Sequence, residues 1–354
     1  MGRMEQMLRS LQDEKGSDLH LAAGQPPRMR RKGSLDPIAG EAALDDRALR
    51  ALLREIASDE QWSSYETQND LDFAYGIPGV ARFRANYFVQ ENGAGAVFRI
   101  IPEEIQTLED LALPPAIRGF AHLDRGLVLV TGPTGSGKST SLAAVINEIN
   151  ECYAKHVLTI EDPIEFVHPN KKSVFSQREV GVHATGFGPA LRAAIREDAD
   201  VILVGEMRDY ETISLALTAA EMGALVFGTL HTNGAAKTID RVIDAFPADE
   251  QPQARLSLSE SLAGVVSQQL LRTADGKGRC AVNEILIRTT GLANVIREGN
   301  TPMLLNIIQS GKSVGMQTMD DALMALVQSN RITGEDAWRK ALDKARFEKY
   351  ATAE

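Results

Sequence analysis

The sequence predicts an α/β fold: a parallel-sheet core, preceded by a smaller α+β domain and followed by a helical part. Three observations carry this. Between residues 126 and 232, "GLVLVTG", "HVLTIED", "VILVGE" and "ALVFGTLHT" are short, continuous apolar runs separated by helical stretches. Strands of that kind are buried on both faces, as in a parallel sheet covered by helices. Before residue 102, short apolar stretches instead alternate with Gly/Pro turns, and after about residue 255 the apolar spacing turns mostly helical.

In chain order, residues 1–101 form the first domain. "SDLHLAAGQPPRMRRKGSL" reads as strand, Gly/Pro turn, strand. The basic "RMRRK" at 28–32 reads as an exposed hairpin, because Gly33 and Ser34 follow it; the competing reading is a patch for anionic lipid or nucleic acid. "RALRALLREIASDEQWSSYETQ" sets Leu49, Leu52, Leu53 and Ile56 at helical spacing and predicts an amphipathic helix. "LDFAYGIPGVARFRANYFVQENGAGAVFRII" predicts two or three antiparallel strands. Residues 102–115, with Pro102 and the pair Pro114–Pro115, read as a linker holding a short helix. The sheet core is expected over 116–255 and the helical part over 256–345. Residues 346–354 are polar and predict a flexible tail.

Hydrophobic content of 44% and charged content of 24% supply an ordinary globular core. A formal net charge of −10 repels a phosphate backbone and argues against a broad nucleic-acid surface. Two cysteines, Cys152 and Cys280, without any CxxC, predict neither a cysteine-rich zinc site nor a disulfide scaffold, and fit a reducing, cytoplasmic setting. No apolar run approaches the length needed to span a bilayer.

"GPTGSGKS", Gly132 to Ser139, is a complete G-x-x-x-x-G-K-[ST] loop between a strand at Leu127–Val130 and a helix bearing Leu142, Val145, Ile146 and Ile149 on one face. Its candidate ligand-binding residues are Gly132, Pro133, Thr134, Gly135, Ser136, Gly137, Lys138, Ser139 and Thr140. Glycines let successive N–H groups turn inward, and the helix N-terminus adds partial positive charge for phosphate. Lys138 is placed to reach β/γ-phosphates, the Ser139 hydroxyl to ligate Mg²⁺, and Thr140 to contact the α-phosphate. The order strand, loop, helix predicts a nucleoside-triphosphate site.

Parallel sheets bind ligands at the carboxyl ends of their strands. Glu206, just beyond the apolar run Val201–Val204, is therefore a candidate for Mg²⁺, held directly or through water. "TIEDPIEF" brings Glu161, Asp162 and Glu165 to the end of another strand, where one carboxylate could orient attacking water; spacing does not choose among them. His231, in "GTLHTNGA", falls at the same edge and reads either as a γ-phosphate sensor or as a structural side chain.

The order "GPTGSGKST", "TIEDPIEF", "QREVG", "ALRAAIREDADVILVGEMRD", "TLHTNGA" closely resembles the bacterial ATPases of type II secretion and type IV pilus systems. Those carry a Walker A loop, an acidic Asp box, a Walker B strand ending in Glu, and a His box. "SDLHL" at 17–21, "ARFRANYF" at 81–88, "ADGKGR" at 274–279, "NVIREGN" at 294–300 and "GMQTMD" at 315–320 look most like the PilT-type retraction ATPases of twitching motility, over nearly the whole chain. The resemblance implies a RecA-like P-loop NTPase core, an N-terminal PAS-like domain and a homohexameric ring using ATP and Mg²⁺. It makes Glu165 the catalytic carboxylate, Glu206 the Walker B residue and His231 the His-box histidine. Arg82 and Arg84 lie where the family's N-terminal domain supplies arginines to a nucleotide, with the choice between them open.

The function so implied is ATP hydrolysis converted into domain rotation that retracts a pilus. The ring would act at the cytoplasmic face of the inner membrane, on a pilus platform protein, with a PilU-like or PilB-like ATPase among its partners and no zinc or nucleic acid. The four-cysteine zinc module usual in assembly ATPases is missing, which favours retraction, while Gly291-Leu292-Ala293-Asn294 departs from the retraction motif's usual Ala-Ile-Arg opening. A PilU-like accessory motor, an assembly ATPase, a nucleic-acid translocase and a non-hydrolytic nucleotide-gated scaffold are the alternatives.

Overall fold

The computed structural model describes residues 2–31, 34–101 and 104–351. The chain divides into two units, one built from the described residues up to Glu104 with Pro163–Val167, the other from Ile105–Asp162 and His168 onward. Residues 105–115 of the expected linker thus group with the second unit, while 102 and 103 lie outside the described residues.

Period-two burial builds the first unit. Its strands are β1 (Asp18–Ala22), β2 (Arg28–Arg31), β3 (Ser34–Pro37), β4 (Asp70–Ile77), β5 (Ala81–Gln90) and β6 (Gly93–Ile101). They pair antiparallel in the order β3-β2-β1-β6-β5-β4. In β5, Ala81, Phe83, Ala85 and Tyr87 are buried, so Arg82, Arg84 and Asn86 stand on the other face. Helices Arg3–Asp13, Asp46–Arg54 and Asp59–Gln68 bring Leu8, Leu11, Leu49, Leu53 and Tyr65 into one core with Phe83, Tyr87 and Phe98. The basic hairpin forms as β2 and β3, closing at Arg31 opposite Ser34, with Lys32 and Gly33 outside the described residues.

The amphipathic helix read across residues 47–68 is two helices. Ser58 accepts from the backbone of Gln61, and the Gln61 side chain accepts from the Ser58 N–H. This reciprocal cap, worth about 1 kcal/mol, starts a new helix and leaves Ile56 outside both.

The second unit holds β7 (Gly126–Thr131), β8 (His156–Glu161), β9 (Val174–Glu179), β10 (Val201–Val204), β11 (Leu225–Leu230), β12 (Leu262–Arg272) and β13 (Arg279–Ile287). Their order is β13-β12-β7-β11-β10-β8-β9, parallel throughout except that β13 runs antiparallel to β12. The four apolar runs singled out in the sequence are β7, β8, β10 and β11. Burial on both faces is literal: Leu127, Leu129, Ile202 and Val204 enter one core, Val128, Val130, Val201 and Leu203 another.

The part read as helical from residue 256 needs correction. Helix Gln251–Ser261 passes directly into β12 at Leu262, whose φ of −65° and ψ of 116° need neither glycine nor proline. Leu262–Val266 is a contiguous buried run, so it extends the sheet instead of the helix; β13 follows, and helices dominate from Thr290. The tail also differs from expectation. Phe347 is fully buried, in a 3₁₀ turn over Ala345–Tyr350, and Arg346 pairs with Asp321 at 2.7 Å. Residues 352–354 lie outside the described residues. No described helix is long and apolar enough to cross a membrane.

Candidate nucleotide-binding site

The loop after β7 is shaped by its glycines. Gly132, Gly135 and Gly137 take φ of +145°, +77° and +84°. A Cβ on Gly132 would stand 2.2 Å from the Gln268 carbonyl oxygen and 2.7 Å from Ser136 Oγ, so the position admits no side chain. Helix Lys138–Cys152 starts at Gly137 with no side-chain cap, leaving first-turn N–H groups for an anion. Lys138 is buried, with Nζ 2.9 Å from the Gly132 carbonyl and 3.3 Å from that of Pro133, folded back over the loop. Ser136 Oγ is buried without a hydrogen-bond partner in the loop. An uncapped helix start, a cradle that a Cβ would fill and an orphaned hydroxyl together fit a phosphate group. Pro133, Thr134 and Gly135 are exposed at the rim, and Ser139 and Thr140 are half-buried in the first helical turn.

Two strands along, Glu206 follows β10, with β11 lying between β10 and β7. Parallel register aligns their carboxyl ends, and strand spacing places the β10 end about 10 Å from the β7 end. His231 follows β11 directly, between them. Its Nε2 lies 3.0 Å from Glu206 Oε1, and Arg208 forks onto the same carboxylate at 2.6 Å to each oxygen. Burial pushes the Glu206 carboxyl up, but the Arg208 hydrogen bond and charge, with His231, outweigh it and hold the group below the ordinary carboxylate value. Gly205 allows this placement, since a Cβ there would sit 3.1 Å from the Ile160 carbonyl of β8.

Sequence reasoning missed the floor of the loop. Gln268 of β12 donates to the Ser136 carbonyl at 2.7 Å and accepts from Ser141 Oγ at 2.8 Å and Asn283 Nδ2 at 2.9 Å. The same hairpin supports the His231 loop: Ser267 Oγ accepts from Gly234 N and Glu284 Oε1 from Ala235 N, both at 2.8 Å. Ser267, Gln268, Asn283 and Glu284 interrupt otherwise apolar runs in the sequence, but only the fold shows that they are buried on adjacent strands.

Lys138, Ser139, Glu206 and His231 therefore share one unit and one sheet edge. Glu161 lies there too, accepting from Thr159 Oγ1 at 2.7 Å, with Asp162 exposed beside it. Glu165, Arg82 and Arg84 belong to the other unit. There Glu165 is half-buried, and Arg84 forks onto Asp72 at 2.5 Å, while Arg82 shares its face of β5.

A glycine loop on a bare helix N-terminus, at the carboxyl edge of a parallel sheet, defines a P-loop nucleotide-binding protein. The chain belongs to the type II/IV secretion system protein family, whose model matches residues 3–346. It is 52% identical over 325 residues to the "Type IV pilus retractation ATPase PilT" of Pseudomonas aeruginosa, covering 92% of this chain and 94% of that protein. It is 54% identical over 290 residues to a "Twitching motility protein" of Neisseria gonorrhoeae, covering 82% and 78%. The crystal structure of the pilus retraction motor PilT with bound ADP superposes with a TM-score of 0.90, at 42% identity and 99% coverage of both chains. These matches support the RecA-like expectation for the core.

Proposed function

We propose that this chain is a motor subunit that hydrolyses ATP to retract type IV pili. The observation that carries the reading is the intact phosphate loop, with Lys138 at its base, in a chain that matches a pilus retraction ATPase over 92% of its length. Lys138 exchanges the carbonyls of Gly132 and Pro133 for β/γ-phosphate oxygens, and Thr140 meets the α-phosphate. The loop N–H groups and the helix N-terminus take the remaining phosphate oxygens. The Ser139 hydroxyl and Glu206 carboxylate are hard oxygen donors suited to Mg²⁺. Magnesium bound there would neutralise phosphate charge during transfer. Glu206 also fixes the orientation of His231, the candidate sensor of the terminal phosphate. Glu165 orients the attacking water, and Arg82 or Arg84 supplies further positive charge. Six copies act as a ring on an inner-membrane platform protein, with a PilU-like or PilB-like ATPase among its partners.

The test is gene deletion with complementation by wild type, Lys138→Ala and Glu165→Gln, scoring piliation, surface motility and ATP turnover together. Deletion should leave excess pili and no motility, and neither variant should restore movement. Turnover should fall at least about 100-fold in both, with nucleotide binding lost only in Lys138→Ala. Loss of pili on deletion would indicate an assembly motor, and normal turnover by Glu165→Gln would indicate a non-hydrolytic scaffold.

A further inference from the structure

Gln268 is 1% exposed, and β12 runs beside β7, so Ser267 pairs with Thr131 and Gln268 lies beneath the phosphate loop. The loop approaches it closely: a Cβ on Gly137 would come 3.0 Å from Gln268 Nε2. The Ser136 carbonyl can only accept, so the amide must turn its NH₂ toward the loop and its oxygen toward Ser141. In a trans peptide the N–H points opposite to the preceding carbonyl. With the Ser136 carbonyl held down on Gln268, the Gly137 N–H points away from Gln268. Asn283 then ties the arrangement to β13, and its own carbonyl accepts from Gln317 Nε2 at 2.8 Å.

We propose that Gln268 is a positioning residue for the phosphate loop: by anchoring the Ser136 carbonyl it sets the Ser136–Gly137 peptide so that its N–H meets the phosphate of a bound nucleotide. It touches no ligand itself. The proposal rests on the nucleotide-binding reading above and deepens it.

Three variants test it by titration with a fluorescent ADP analogue and by steady-state ATP turnover, on protein whose circular dichroism matches wild type. Gln268→Asn keeps a buried amide that is one methylene too short to reach Ser136. Gln268→Glu sets an acceptor against the Ser136 carbonyl, and Gln268→Leu removes the polar group. Each should weaken nucleotide binding about tenfold, the scale of one lost hydrogen bond to the loop. KM should rise with it, while saturated turnover stays within about threefold. The Gln268→Glu defect should shrink from pH 8 to pH 6, because a protonated carboxyl regains a donor for the Ser136 carbonyl; the Gln268→Leu defect should not change. Binding within about twofold of wild type by the folded variants, or a Gln268→Glu defect indifferent to pH, overturns the proposal. Lys138→Ala separates the two levels. If Lys138→Ala binds nucleotide normally, the site reading fails; if it loses binding while the Gln268 variants keep theirs, only the positioning role fails.

Discussion

Glu206 and His168 show how the same acidification acts on two side chains for different reasons. Arg208 and His231 hold the Glu206 carboxyl low against its burial, so its stabilising charge is present above the ordinary carboxylate range and is lost as pH falls through its lowered value. At His168 burial and the neighbouring charge act in the same direction. Burial, then the nearby Lys171 charge, lowers its pKa to about 4, and its ring stacks on Phe175 at 4.9 Å and 6°. The unfolded chain therefore takes up a proton at His168 near pH 6.5 while the folded chain resists until about 4. Stability should fall across that window as pH drops, by up to about 3 kcal/mol. Replacing His168 with Phe keeps a ring for the stack and removes the proton site. Urea unfolding midpoints at pH 7.5 and 4.5 should thus differ less in His168→Phe than in wild type. An equal loss in both would show that His168 does not titrate between those limits. Nothing in the sequence marked this histidine, because its character comes from Phe175 and the surrounding burial.

At the scale of elements, the legible parts were those whose local pattern agrees with their final place. β7, β10 and β11 are buried on both faces, and their unbroken stretches without charged residues say so. The phosphate loop was legible because its glycines are required by backbone geometry. That requirement can be measured. Gly132→Ala would force the loop away from the Gln268 carbonyl, only 2.2 Å from the new methyl, and φ of +145° disfavours any side chain. Nucleotide affinity should drop at least about tenfold and stability by about 1–3 kcal/mol. Isothermal titration and thermal unfolding would read the two effects, and near-normal affinity would mean that the loop does not need its close approach to β12. β12 itself was hidden. The change from helix to strand at Leu262 uses ordinary backbone angles, so no glycine or proline announces it. Gln268 was hidden for a related reason, since its bond to Ser136 spans 132 residues and only the sheet order brings them together. The cap at Ser58 was readable from Ser-x-x-Gln, but the apolar spacing running on to Ile56 outvoted it.

The molecule as a whole carries an acidic balance, a net charge of −10, and two units with cores of their own. Composition made a nucleic-acid partner unattractive; the succession of motifs along the chain pointed to the secretion ATPases, and the family match bears that out. A motor that pulls a filament under load must keep hold while one site turns over, which a single P-loop cannot do. Several sites must act in one assembly, and closed cyclic symmetry is the usual way for identical chains to provide them. For the ring of six copies proposed above, light scattering of the purified protein with ATP and Mg²⁺ should give a mass about six times the 38.5 kDa of the chain. Mixing in Lys138→Ala subunits sharpens the test. If neighbouring sites fire in a coupled ring, one dead site in an assembly silences more than itself, and turnover should fall faster than the fraction of mutant added. A linear fall, or full turnover by a species of one chain's mass, would mean that each P-loop works alone, and a lone site cannot hold a filament between strokes.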